Sequence, residues 1–296
     1  MRLFGDQGSV SKMYTFPKSR QITIGKKCKL HQETQTDMAH RETFETITGC
    51  RIRIMRKGQG EPLLFLHGAA GAQRWLPFME TLAQSHDVIV PEHPGFGASD
   101  MPDWLDSVAD LAHFYQDLMD HLGLQKVHLV GTSLGGWIAA ELASHSCDKL
   151  KSLTLVAPAG LSVAGVHRPD MFMWSPEELS RKLFHDPELA KAAPKPTTDD
   201  ELLRALKNRL TTAKLGWSTR MHNPHLHKWL HRIQVPSLII WGDDDQVLPV
   251  AYGPAYRDLI PSSRLEIFAQ CGHLPHVEKA PEFCRKLLEL TQGLAP

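Results

Sequence analysis

The sequence predicts an α/β fold: a mostly parallel central sheet, covered by helices on both faces and interrupted by one helical insertion. Three observations lead there. Short runs rich in Val, Ile and Leu, such as Leu63–Leu66, Val127–Val130 and Ser237–Trp241, alternate with longer segments of helical periodicity. Those runs are apolar throughout rather than every second residue, the pattern of strands buried on both faces. The rhythm breaks once, between Ala157 and Ser237, where prolines and charges crowd and no convincing strand occurs.

Taken in order, residues 1–40 are polar without a sustained period and read as a poorly ordered extension. Phe44–Ile47 and Arg51–Arg56 read as a hairpin around Gly49, with Ile52 and Ile54 on one face. Leu63–Leu66 and Val88–Val90 are buried strands. Leu105–Leu122 carries Leu111, Phe114, Tyr115 and Leu118 at helical spacing and stops at Gly123. Val127–Val130 is a strand that runs directly into a helix from Ser133 to about Ser144. Leu153–Ala157, Ser237–Trp241 and Leu265–Phe268 complete the strands, and Pro281–Leu290 is a closing helix. The core domain is expected over 41–159 and 233–296, with a helical cap over 160–232 that holds helices at Glu177–Phe184 and Asp200–Thr211.

With 296 residues, 42% of them hydrophobic, the chain can bury one large core with an insertion. Thirty-three basic residues balance 33 acidic ones, which argues against nucleic acid or an anionic membrane surface as partner. No apolar run approaches the roughly 18 residues of a membrane span, and the N-terminus has no continuous apolar core of a secretion signal. The five cysteines are odd in number, scattered and free of C-x-x-C pairs. They read as free thiols in a reducing compartment, so the cytoplasm is the expected location.

The most informative segment is Val127-His-Leu-Val-Gly-Thr-Ser-Leu-Gly-Gly-Trp137. An apolar strand enters Gly131-x-Ser133-x-Gly135 and a helix leaves it. A serine at such a turn stands exposed above the sheet, at a helix N-terminus whose free N–H groups favour developing negative charge. The turn brings backbone segments close together, which explains the glycines. The spacings of a dinucleotide loop and of a phosphate-binding loop are both absent. A serine hydroxyl needs a base, and the base needs a third group to orient it. Asp243-Asp-Asp245 follows the strand at Ser237, and Gly272-His273 follows the strand at Leu265, in the chain order serine, acid, histidine. Strand alternation alone leaves Asp243 and Asp245 equivalent. His67-Gly68-Ala69-Ala70-Gly71 follows an early strand, and its small residues let backbone approach a carbonyl oxygen. The N–H groups of Ala69 and Leu134 are the candidate oxyanion hole.

Together with Pro94-Gly-Phe-Gly-Ala-Ser99 and Glu278-Lys-Ala-Pro281, these stretches over residues 45–290 resemble the α/β-hydrolase fold superfamily, in its serine hydrolase branch with a lid between strands six and seven. The resemblance implies Asp245 as the acid, third after Gly242 and four before Pro249. It implies a serine esterase that works through an acyl-enzyme on a small-molecule ester, with Ser133 as nucleophile, His273 as general base and acid, and no cofactor. Carbon–carbon bond hydrolases of ring-fission products are the alternative. They usually carry asparagine before the serine and tryptophan after the histidine, where this chain has Thr132 and Leu274. A non-catalytic ligand-binding module on the same fold is the alternative of another class. Gly68, Trp137, Trp174 and Leu274 are candidate pocket residues. Trp174, Trp217 and Trp229 fit either a pocket lining or packing of the cap onto the sheet. His222, His225, His227 and His231 read as a polar cap surface rather than a metal site, since Pro224 interrupts them. Oligomeric state is left open.

Overall fold

The computed structural model describes residues 39–293. The predicted N-terminal extension falls, apart from its last two residues, outside the described residues, as does Cys28. Eight strands form one sheet: β1 (Arg41–Ile47), β2 (Cys50–Lys57), β3 (Glu61–Leu66), β4 (His86–Pro91), β5 (Val127–Thr132), β6 (Leu150–Val156), β7 (Ser237–Gly242) and β8 (Ser263–Phe268). Their spatial order is β1-β2-β4-β3-β5-β6-β7-β8. The hairpin forms because Thr48 and Gly49 both take positive φ, 49° and 75°, the twist a two-residue turn needs. β1, β2 and β4 pair antiparallel, and every other neighbouring pair is parallel. β4 and β5 flank β3 on opposite sides, so the winding direction reverses there and opens a crevice at the strands' carboxyl ends.

Helices cover both faces: α1 (Pro77–Leu82), α2 (Val108–His121), α3 (Leu134–His145), α4 (Pro176–Leu183), α5 (Pro187–Ala192), α6 (Asp199–Gly216), α7 (Tyr252–Leu259), α8 (Pro275–Glu278) and α9 (Ala280–Gln292). Strand alternation sorts the core into two layers. Leu64, Leu66, Ile89, Leu129 and Ile239 face α2 and α3, packing with Leu111 and Ile138. Leu63, Phe65, Val88, Val90, Val130, Leu238 and Ile240 face α1 and α9, packing with Phe78 and Phe283. Burial on both faces is the physical cause of the uniformly apolar strands in the sequence.

The stretch between β6 and β7 holds α4, α5, α6 and three 3₁₀ turns, at Met171–Met173, Leu226–Lys228 and Leu230–Arg232. The two helices expected there are α4 and α6. Each starts on a capping box, Ser175 with Glu178 and Thr198 with Glu201. α1, α5, α7 and the four-residue α8 have no counterpart in the sequence reading. α1 and α5 are six residues each, too short to show a period, and α7 contains Gly253 and Pro254, which read as breakers. His227 and His231 fall in separate 3₁₀ turns, so they do not share one α-helical face. Among the described residues, no group of three or more His, Cys, Asp or Glu side chains is arranged to hold a metal ion. Nor is any described helix long and apolar enough to cross a membrane.

Candidate active site

Ser133 joins the end of β5 to the start of α3 with φ 53° and ψ −113°, a backbone conformation costly for a residue with a Cβ. The glycines around it answer close approaches. A Cβ on Gly131 would lie 2.3 Å from the Gly135 carbonyl oxygen, and one on Gly135 would lie 2.1 Å from that of Leu66. β3 therefore passes directly beneath the elbow, which places the His67–Gly71 turn beside the serine. A Cβ on Gly68 would lie 3.3 Å from the Ser133 Cβ. The Ser133 hydroxyl makes no capping bond to α3 and is free for other work. The Leu134 N–H sits in the first turn of α3, where no intrahelical acceptor exists.

His273 Nε2 lies 2.9 Å from Ser133 Oγ, and His273 Nδ1 lies 2.7 Å from Asp245 Oδ2. The structure thus brings together the three side chains that the sequence placed after three different strands. The side chains of His273 and Asp245 are 3% and 0% exposed, so their contact is shielded from water. The other oxygen of Asp245, Oδ1, accepts the N–H groups of Val247 and Leu248, each at 2.9 Å. Asp243 and Asp244 do different jobs. Asp243 Oδ1 accepts the Cys271 N–H at 3.2 Å. Asp244 does not bond a backbone N–H through its carboxylate but meets His185 Nδ1 at 2.8 Å. Gly242 and Gly272 pass so closely that a Cβ on Gly242 would lie 2.1 Å from the Gly272 carbonyl oxygen. The acid turn and the histidine turn are therefore fastened back to back.

Several residues around the site were given no role of their own in the sequence reading. His67 Nε2 accepts the His93 N–H at 3.0 Å, so its proton resides on Nδ1, which donates to the Gly68 carbonyl at 2.7 Å. His93 Nε2 donates to the His67 carbonyl at 2.8 Å, and its Nδ1 accepts from the Tyr115 hydroxyl. The two rings stack at 3.6 Å. Burial holds His67 down at about 4 and His93 well below the usual histidine range, so both are neutral. Among 17 histidines nothing in the sequence pairs His67 with His93. Glu278 accepts N–H bonds from Gly272 at 2.6 Å and from Asp186 at 2.7 Å, tying the inserted segment to the histidine turn. His273 itself donates its N–H to the Leu183 carbonyl at 2.8 Å.

The candidate pocket residues scatter more widely. Gly68 adjoins Ser133, and Leu274 follows His273 at the start of α8, half-buried. Trp137 is buried on α3, with its indole N–H on Glu141 at 3.0 Å and its ring against Gly160. Trp174 lies under Lys182, whose Nζ is 5.0 Å from the ring centre. Trp217 and Trp229 are exposed. Cys50, Cys147, Cys271 and Cys284 are free thiols.

A hydroxyl on a strained strand-to-helix turn, with a buried imidazole and carboxylate in line behind it, defines the architecture of a hydrolase elbow. A family model described as the alpha/beta hydrolase fold matches residues 61–224 and 205–280, and the chain belongs to that family. Its relatives include an acyl-transfer component and several hydrolases. The chain is 30% identical over 267 residues to the dihydrolipoyllysine-residue acetyltransferase component of the acetoin cleaving system of Cupriavidus necator, covering 84% of this chain and 68% of that one. It is 30% identical to the 2-hydroxy-6-oxo-6-phenylhexa-2,4-dienoate hydrolase of Burkholderia cepacia, covering 82% of this chain and 92% of that one. It is 29% identical to the 2-hydroxy-6-oxononadienedioate/2-hydroxy-6-oxononatrienedioate hydrolase of Burkholderia vietnamiensis, covering 88% and 97%. Among solved structures, a bacterial membrane phospholipase A superposes with a TM-score of 0.73 at 24% identity, covering 86% of each chain, a likeness of fold.

Proposed function

We propose that this hydrolase uses Ser133, His273 and Asp245 to cleave a carbon–carbon bond beside a ketone in a ring-fission product. The observation that carries the reading is the likeness to such hydrolases over 82% and 88% of this chain and 92% and 97% of theirs. It favours the carbon–carbon alternative of the sequence reading over the ester one. The triad distances suit the chemistry. Ser133 Oγ attacks the ketone carbon while His273 Nε2 takes its proton across the 2.9 Å contact. Asp245 holds the Nδ1 proton and steadies the imidazolium. The oxyanion is received by the N–H groups of Ala69 and Leu134.

A carbon leaving group must be stabilised before the bond breaks. In a 2-hydroxy-6-oxo-dienoate, tautomerisation of the enol to a ketone moves the hydroxyl proton to carbon 5 and makes that carbon the γ position of an enone, whose carbonyl can accept the electron pair of the breaking bond. Collapse of the tetrahedral adduct then sends the bonding pair into the conjugated system, which leaves as a dienol and takes its proton from His273. Water, activated by His273, releases the acid from Ser133. The inserted helices, 160–232, act in this reading as a cap that selects the substrate. Its support is their docking: α6 over the turns after β3 and β4, and Leu183–Asp186 over His273. Four free cysteines support a reducing, cytoplasmic setting.

Ester hydrolysis is the second reading, favoured by Thr132 and Leu274, where carbon–carbon hydrolases usually have asparagine and tryptophan. The test is kcat/KM for a ring-fission dienone against a panel of p-nitrophenyl esters. A larger value for the dienone is expected, and a preference for esters moves the assignment to the second reading. Failure of a fluorophosphonate probe to label Ser133 would leave only a ligand-binding module.

A further inference from the structure

Asn208 stands in the middle of α6, where its short polar side chain is an indifferent helix former. It is 2% exposed. Both ends of its amide are used. Oδ1 accepts the Gly97 N–H at 2.8 Å, and Nδ2 donates to the Ala70 carbonyl at 2.8 Å. Reversing the amide would set oxygen against oxygen and N–H against N–H, so the orientation is fixed by its partners. Gly71 takes φ +88°, and a Cβ there would lie 2.5 Å from Asn208 Nδ2, so the turn is shaped around this side chain.

The consequence reaches Ser133 through two planar peptides. In a trans peptide the C=O and the following N–H point in opposite directions. Pinning the Ala70 carbonyl on Asn208 therefore turns the Gly71 N–H to the far side, where it donates to the Gly68 carbonyl at 3.1 Å. That carbonyl is also pinned by His67 Nδ1 at 2.7 Å. Its own peptide partner is the N–H of Ala69, which is turned away from both anchors. We propose that Asn208 is a positioning residue that aims the Ala69 oxyanion donor, making the inserted helix part of the oxyanion hole's support. The inference rests on the serine mechanism proposed above and adds to it a residue from outside the sheet.

The experiment measures labelling of Ser133 in the full chain by a fluorophosphonate, whose phosphoryl oxygen occupies the oxyanion site, at a series of probe concentrations. Asn208→Ala removes both bonds. Asn208→Asp keeps the acceptor for Gly97 but sets an oxygen against the Ala70 carbonyl. Thr211→Val is the control: it removes the 2.6 Å bond from Thr211 to the Gly95 carbonyl, in the turn after β4, and leaves the Asn208 bond to the Ala70 carbonyl in place. Loss of one oxyanion donor costs on the order of 10²–10³ in rate, so a misaimed one should slow the maximal labelling rate about 10- to 100-fold. Half-saturation should move by less than about threefold in both Asn208 variants, and Thr211→Val should leave both constants within about twofold, even where melting temperatures fall alike. Wild-type maximal rates in the Asn208 variants, counted per folded molecule, would overturn the proposal. So would a change confined to half-saturation, or an equal loss in Thr211→Val. If the wild-type protein itself does not label, the serine mechanism fails first and the proposal with it.

Discussion

Replacing each of the three consecutive aspartates by asparagine tests the acid assignment, because the structure gives each a different set of partners. Asp245 Oδ1 accepts two N–H groups at 2.9 Å while Oδ2 faces His273 Nδ1 at 2.7 Å. In Asp245→Asn the amide oxygen must stay on the Val247 and Leu248 side, since reversal would put the NH₂ group against two N–H donors. The NH₂ then faces His273, which can meet it only by giving up its Nδ1 proton and carrying one on Nε2. That nitrogen can no longer take the proton of Ser133. The expected loss is about 10⁴ in kcat, or about 5 kcal/mol at the transition state. Asp243→Asn keeps an oxygen for the Cys271 N–H and should lose less than about tenfold in kcat, as should Asp244→Asn, whose partner His185 lies in an exposed pair. The assay is steady-state turnover of the preferred substrate, with thermal melting to verify folding. A loss near 10⁴ at Asp243 with Asp245→Asn close to wild type would refute the assignment.

Three further outcomes are expected. Ser133→Ala should lose about 10⁶ in kcat and keep its fold, and Ser133→Gly should melt above Ser133→Ala because it relieves the positive φ of 53°; retention of more than about a thousandth of wild-type turnover in Ser133→Ala counts against the nucleophile. Gly135→Ala should fail to give native protein, since its methyl would lie 2.1 Å from the Leu66 carbonyl oxygen; a soluble variant with native melting would contradict the packing beneath the elbow. His276 is held at about 3, against an ordinary 6.5, by burial among Phe65, Phe78 and Phe283. As pH falls through 6.5 the unfolded chain binds a proton that the folded chain refuses until about 3, so folding stability drops across that window. His276→Phe should shallow the decline by up to about 1.4 kcal/mol per pH unit in urea titrations, and an unchanged slope would place the acid sensitivity elsewhere.

The sequence by itself determined the sheet, because strands buried on both faces must be apolar throughout, and that needs no knowledge of neighbours. It determined the elbow, because only glycine tolerates the approaches at Gly131 and Gly135. It also put an acid and a histidine after two strands whose ends the structure brings beside Ser133. What it could not supply were relations between residues distant along the chain. Asp243 and Asp245 are equivalent by alternation, and the resemblance rather than the residues chose between them. The structure separates them by which carboxylate meets His273. His67 and His93 are 26 residues apart and become a stacked, neutral pair only because β3 and β4 lie side by side. Asn208 lies 138 residues from Ala70, and its one local sign is a poor helix former inside a helix. Periodicity reports which face of an element is buried. Which polar atoms meet across the crevice is decided by where the sheet and the inserted helices bring their loops together.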